Sequence, residues 1–378
     1  MNKIFNYRAP RSGARRETRQ GLGDLQFSIF NKLRFLLRRP KVIIVAGEGR
    51  ACAAEVIRTL LKQIKEEILI IETDLKKPGE LRFLIRNSSL PILVVTHIGD
   101  IPFDRDFFAA EEQKTVEIRK LAKILPIQGH LILNFDDETV RKIRDETNLK
   151  ELTFGFQEGA DFRATDIKLN NGTNFKINYK GNIVPIWLEK LFGKEQIYSV
   201  LAGACLGTII DLNLVEISQA LKNYYSLPGK MRLIEGIKNS RILDDSESAT
   251  IFSMVEALEI LGKIQPLAEA GSGRKIAVLG DVISIGKYAI ETHEAAGERV
   301  AKNADLLFTF GARAKFIAQG AREKGMTIEK IFQFDTINEG KLRLKEEIKE
   351  GDLILVDGSK EMKMGEIVEE IKQQGPIV

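Results

Sequence analysis

Apolar positions along this chain repeat at two spacings that take turns. Short unbroken apolar runs stand at VIIVA (42–46), EILIIE (67–72), PILVVT (91–96) and HLILNF (130–135). Such runs suit strands covered on both faces. Between them, apolar residues recur at helical spacing over Ala51–Glu66, near Gly79–Asn87 and around Ala109–Ile124. Strands alternating with helices predict a parallel sheet with helices on both sides. From Leu152 to Trp187 the pattern shortens to brief strands punctuated by NNGTN and YKGN, which predicts a β-meander. Helices follow near Glu195–Gly207 and Leu214–Tyr225. Pro228-Gly229 then breaks the chain, and RILDD, KIAVLG, DLLFTFG, KIFQF and DLILVDG alternate with further helices. This predicts a second open α/β domain of the Rossmann-like kind. The domains expected are a tail with a helix over 1–40, a first α/β domain over 41–227 and a second over 228–378.

Composition narrows the class. A chain of 378 residues is long enough for about two domains, each with its own core. No apolar run is long enough to span a membrane, and the first sixteen residues lack the apolar stretch of a secretory signal. Cys52 and Cys205 are the only cysteines and there are three histidines, which excludes a disulfide framework or a multi-histidine metal site and suits a cytoplasmic setting. The net charge of +4 conceals an asymmetry: residues 1–41 carry +9 and the remainder −5. Residues 1–24, rich in Arg and Gly, are expected to be disordered. From Leu22 to Leu37, apolar positions at helical spacing go together with the basic residues Lys32, Arg34, Arg38 and Arg39. Two readings stay open for this helix: packing on the first domain, or weak contact with an anionic membrane face through residues 1–41. Specific nucleic-acid binding is not expected, because it would leave the apolar face idle.

Candidate chemistry starts where the first strand runs into AGEGR and a helix (Ala46–Arg50). Gly47 and Gly49 would let backbone N–H groups approach a phosphate at a helix N-terminus, with Arg50 adding charge. The alternative is a tight strand-to-helix turn with no ligand. Asn134 and Asp137 in NFDD end a strand and either contribute to that site or cap the next helix. Asp244 and Asp245 end RILDD, where they bind a ribose hydroxyl or cap a helix.

The segments PGKMRLIEGIKNSRILDDS (228–246) and AVLGD (277–281) together resemble the C-terminal domain of the Mur ligases, ATP-dependent enzymes that add amino acids to peptidoglycan precursors. Within that family the likeness is greatest to the branch that adds D-alanyl-D-alanine to the UDP-MurNAc-tripeptide. It covers about residues 40–378 and implies a central P-loop-like domain with a parallel sheet plus meander, followed by a Rossmann-like domain. On this resemblance no counterpart of the family's separate N-terminal UDP-binding domain is expected in residues 1–378, and the segment between Glu55 and Glu72 is shorter than the family pattern. The resemblance implies ATP and Mg²⁺ as cofactors, with Glu72 as the acidic Mg²⁺ ligand. It further implies Glu72, Arg232 and His293 as catalytic residues, and Gly47, Gly49, Arg50, Asn134, Asp137, Lys230, Asp244 and Asp245 as nucleotide contacts.

Several family positions are altered. The loop pattern TG-x-x-GKTTT is AGEGRACAA here, so Ala51 and Cys52 stand where hydroxyls would hold Mg²⁺, and Glu48 adds negative charge. Pro102 replaces a His, Ile118 the carbamoylated Lys, His97 an Asn, Glu195 a His, Gln196 and Ser199 two Asn, and Asp357 a Lys. Polar ligands are lost together while glycines and core residues stay. The expectation is therefore a degenerate homologue that binds a UDP-muramyl peptide or a cell-wall enzyme and needs no cofactor. The alternative expectation is an active ligase with a rebuilt site, using ATP and Mg²⁺, in which Arg50 stabilises the transferring charge and Arg232 and Asp245 position nucleotide.

Overall fold

Runs such as VIIVA need cover on both faces, and a computed structural model of the chain places them in the middle of a sheet. It describes residues 5–7, 29–62, 64–75, 78–98, 115–144, 147, 149–247, 250–266, 273–283 and 289–373. The first sheet is built from β1 (Phe5–Tyr7), β2 (Lys41–Ala46), β3 (Ile68–Thr73), β4 (Pro91–Val95), β5 (His130–Asn134), β6 (Lys150–Gly155), β7 (Phe162–Leu169), β8 (Gly172–Tyr179) and β9 (Asn182–Glu189). Its order is β1-β3-β2-β4-β5-β6-β7-β8-β9. The helices between and around these strands are α1 (Ile29–Arg38), α2 (Arg50–Leu61), α3 (Pro78–Asn87), α4 (115–123), α5 (Glu138–Arg144), α6 (Lys194–Ile209) and α7 (Leu214–Leu221).

Strands β1 to β6 run parallel. The periodicity places the segment from Leu152 in the meander, but β6 follows a crossover helix and joins the parallel set, so the meander is β7–β9 alone. Two-residue links, Asn170-Asn171 and Lys180-Gly181, connect those strands, and links this short join only antiparallel neighbours. Lys180 and Gly181 both take positive φ, 46° and 78°, as a type I′ turn requires. On one side of the sheet, Ile44, Leu93, Leu131 and Leu133 pack with Leu81, Leu84 and Leu121. On α6, Gly203 lets the helix close on α2, since a Cβ there would fall 2.5 Å from Val56 Cγ1. Residues 5–7 pair with β3; the rest of the expected disordered tail, together with Phe27, Pro102 and the start of the expected 109–124 helix, lies outside the described residues.

The second sheet comprises β10 (Arg232–Glu235), β11 (Arg241–Asp245), β12 (Lys275–Gly280), β13 (Leu306–Phe310), β14 (Ile331–Phe334) and β15 (Leu353–Asp357). Its order is β10-β11-β15-β12-β13-β14, parallel apart from the β10/β11 pair. Five strands match the sequence reading; β10 is an addition, an edge strand inside the segment that follows the Pro-Gly break. Helices α8 (Ile251–Lys263), α9 (Ala289–Asn303), α10 (Lys315–Glu323), α11 (Ile337–Glu347) and α12 (Gly365–Ile371) cover it, with one apolar core on each face.

The chain divides into two compact units. The first takes Met1–Ile167, Asn174–Trp187 and Lys194–Tyr225; the second takes Lys168–Thr173, Leu188–Gly193 and Ser226–Val378. The hairpin ends at 168–173 and 188–193, placed by sequence in the first domain, thus go with the second, where Phe192 is fully buried beside Met231 and Met254. Among the described residues no helix is long and apolar enough to cross a membrane.

Candidate functional site

In the first unit, the carboxyl ends of β2, β3, β4 and β5 gather most of the residues singled out by sequence, the place where open α/β sheets bind ligands. Gly47 and Gly49 take φ of 104° and 71°, conformations that a side chain disfavours. A Cβ on Gly47 would lie 2.5 Å from the His97 carbonyl oxygen. The groups a phosphate would meet are engaged within the protein. Glu48 N–H donates to the His97 carbonyl at 2.6 Å. Arg50 Nη1 donates to the Gly47 carbonyl at 3.0 Å. The Thr96 hydroxyl lies between the Ala46 and Glu48 carbonyls, either of which accepts its proton. At the mouth of α2, Glu195 Cγ and Cδ lie 3.1 and 3.5 Å from where a Gly49 Cβ would stand. Cys52 is fully buried, with Gln196 Nε2 at 3.9 Å from its sulfur.

Asp137 is linked to this loop by His97, whose Nδ1 is 2.9 Å from Asp137 Oδ2. The same carboxylate accepts the Ile98 and Val140 N–H groups, which makes it the cap of α5. Burial pushes its pKa up, but the bonds from His97 and the two backbone donors outweigh that and hold it below the ordinary value. Asn134 is buried, and its Oδ1 accepts the Asp136 N–H. Asp136, which sequence passed over, accepts Phe156 N–H, Gln157 N–H and Tyr198 O–H. Of the two readings of NFDD, the turn-and-cap one describes what these side chains touch.

Glu72 is not open to an ion. Arg58 Nη2 lies 2.5 Å from Glu72 Oε1, and both side chains are only 10% exposed. Arg58 Nη1 reaches Glu55 Oε2 at 3.1 Å. Sequence reading missed Arg58, although an Arg among apolar residues of a helix facing a sheet was the available signal. The residues present therefore do not fit Mg²⁺: its one matched ligand already holds a guanidinium, Ala51 and Cys52 offer no hydroxyl, and no described cluster of three His, Cys, Asp or Glu is set up for a metal.

In the second unit, Lys230, Asp244 and Asp245 meet at the 228–231 turn, but the two carboxylates face backbone. Asp244 Oδ2 accepts Gly229 N–H at 2.8 Å and its Oδ1 accepts the Ser246 hydroxyl at 2.7 Å; Asp245 Oδ1 accepts Met231 N–H at 3.2 Å. They hold the turn, and the cap of α8 is Thr250 instead. Arg232 lies in β10 opposite Asp244, half-buried. His293 is fully buried. Its Nε2 accepts Val282 N–H at 3.2 Å, which leaves the proton on Nδ1 to donate to the Ala289 carbonyl at 2.5 Å. Burial lowers its pKa, so the ring is neutral and both nitrogens are engaged. In this arrangement it ties Val282 to α9 and has no atom left for a substrate, contrary to the catalytic role the resemblance implies. Asp357, in register with Asp245, is 1% exposed and its Oδ2 has no hydrogen-bond partner; burial pushes its pKa up to about 8, against smaller opposing pulls from the Gly358 backbone N–H and then from Lys230.

Comparisons with known proteins bear on the family and the fold. Residues 48–207 match the family model "Mur ligase middle domain", and residues 229–360 match "Mur ligase, glutamate ligase domain". UDP-N-acetylmuramoyl-tripeptide–D-alanyl-D-alanine ligase of Bacillus subtilis (strain 168) is 24% identical over 307 residues, 81% of this chain and 64% of that protein. The enzyme of the same name from Escherichia coli (strain K12) is 27% identical over 256 residues, 66% of this chain and 54% of that protein. The chain thus spans less than two thirds of either relative. Among solved structures, MurF from Acinetobacter baumannii superposes with a TM-score of 0.74 at 17% identity, covering 90% of this chain and 78% of that one. MurF ligase from Thermotoga maritima in complex with ADP gives 0.69 at 19% identity, covering 95% and 86%. At these identities the structures show a common fold.

Proposed function

Because the chain belongs to the Mur ligase family, sharing its middle and C-terminal domains, we propose that it serves peptidoglycan precursor synthesis as a homologue that binds without ligating. Its ligand on this reading is a UDP-muramyl peptide or a cell-wall enzyme, and its role is regulatory. The observation that carries the reading is the closed phosphate loop. Glu48 N–H, the Arg50 guanidinium and the Thr96 hydroxyl all bond to carbonyls of the protein, and the Glu195 side chain lies against Gly49.

A bound γ-phosphate would have to break those bonds and approach Glu48 and Glu195. It would also lack a metal. A charge-assisted hydrogen bond to phosphate is worth about 1.5–3 kcal/mol, so binding without two of them is weaker by a factor on the order of a hundred or more. Titration calorimetry is therefore expected to find no binding of ATP·Mg²⁺ tighter than about 1 mM. With UDP-muramyl tripeptide and D-alanyl-D-alanine present, no phosphate should be released. A micromolar dissociation constant with phosphate release would replace this reading with an active ligase built around Arg50, Arg232 and Asp245.

A further inference from the structure

We infer that Arg58 is the resident cation of the first unit, standing between Glu55 and Glu72 in the place of a divalent ion, so that the native chain takes up no Mg²⁺ there. The inference rests on the non-ligating reading above and gives it a specific cause.

Two carboxylates converge on one guanidinium. Glu72 Oε1 lies 2.5 Å from Nη2, and Glu55 Oε2 lies 3.1 Å from Nη1. Glu55 and Arg58 are three residues apart on α2, which puts them on one face of the helix. Glu72 comes from β3, in register with Val45 one residue before β2 ends. A helix and a strand therefore aim like charges at a common point beside the phosphate loop. Two acids so close, one of them nearly buried, require a positive charge between them. Arginine supplies it permanently, because a guanidinium does not deprotonate in a protein and its fork suits two carboxylates at once. Mg²⁺ prefers one or two carboxylates and keeps several waters. The Glu55–Glu72 pair is such a ligand set, and Arg58 keeps the ion out by filling it. No divalent ion can enter unless it displaces a side chain anchored on a packed helix.

The test removes the guanidinium and leaves the acids, using the full chain and Mn²⁺ alone as the probe. Wild type, Arg58→Gln, Arg58→Lys and the double variant Arg58→Gln/Glu72→Gln are titrated with Mn²⁺, following bound ion by electron paramagnetic resonance and the melting temperature in parallel. Wild type and Arg58→Lys, which both keep a cation, should show neither bound ion nor a melting shift. Arg58→Gln should melt lower without metal, recover with Mn²⁺, and bind it at least tenfold more tightly than wild type. The double variant should lose that gain. Arg58→Ala, which opens more room, is the second probe if the Gln side chain itself blocks the ion. The inference fails if wild type binds Mn²⁺ at micromolar levels through Glu72. It also fails if Arg58→Gln and Arg58→Ala, folded by circular dichroism, are both blind to Mn²⁺. No nucleotide is present, so either failure leaves the result of the ATP titration standing as a separate answer.

Discussion

At Asp357 the protein keeps a carboxyl in a place that favours its neutral form. The residue ends β15 at the centre of the second sheet, beside Asp245, and burial raises its pKa from 3.8 to about 8. Below about pH 4 the group is protonated in both folded and unfolded chains, and its contribution is fully present. As pH rises toward 8 the unfolded chain ionises while the folded one holds its proton, so stability falls; above 8 the loss is complete. The slope is at most about 1.4 kcal/mol per pH unit. Asp357→Asn, which cannot ionise, should therefore gain on wild type steadily between pH 4 and 8 when urea unfolding is measured across that range. An advantage that stays constant with pH would mean the carboxyl is ionised in the fold. Little of this is legible in the sequence. It marks Asp357 as an acid at a family lysine position, but a pKa depends on what surrounds the group. Asp244 and Asp245 make the same point: their position at a strand end is readable, whereas the backbone donors they face come from a turn fourteen or fifteen residues earlier in the chain.

Helix α1 is the element whose two faces have different fates. Phe35 is buried in the first core and lies 5.8 Å from Phe83, centroid to centroid. Leu33, Leu36 and Leu37 stay exposed, Leu37 at 85%, with Arg34, Arg38 and Arg39 beside them. Packing and membrane contact are opposed readings of this segment in sequence, yet the helix satisfies the first through Phe35 and leaves an apolar, basic face for the second. Near an anionic bilayer each Lys or Arg contributes about 1 kcal/mol, an effect that fades within a Debye length of about 8 Å at physiological salt. With +9 on residues 1–41, the full chain should co-sediment weakly with vesicles containing phosphatidylserine, release at high salt and ignore neutral vesicles. Leu33→Glu/Leu37→Glu, which spares Phe35, should stay in the supernatant. If wild type stays there too at low salt, the face has no membrane role. Elements like this are readable because periodicity is a local property: the runs of β2, β4, β5 and β12 match within a residue or so. The strand β10 escapes a sequence reading because its four residues follow a Pro-Gly break, and β6 falls into the wrong set because strand direction depends on the crossover before it.

For the whole molecule, the division into units crosses the chain order. Phe192 follows the meander in sequence but is fully buried in the core of the second unit with Met231, Leu243 and Met254. Phe192→Ala should lower stability by about 3–5 kcal/mol, the usual range for emptying a large aromatic site. Hydrogen exchange should place the loss in β10, β11 and α8, with β2 to β5 unchanged. Protection lost first in β2 to β5 would show that Phe192 supports the first unit instead. Sequence by itself determined the two α/β sheets, most of their elements and the family, because each rests on local periodicity and on motifs whose order survives substitution. The tertiary structure alone decided which groups meet. Arg58 and Glu72 are fourteen residues apart, His97 and Asp137 forty, Gly49 and Glu195 well over a hundred. Whether a carboxylate faces solvent, a backbone N–H or a guanidinium is set by packing between distant segments, and no spacing along the chain encodes it.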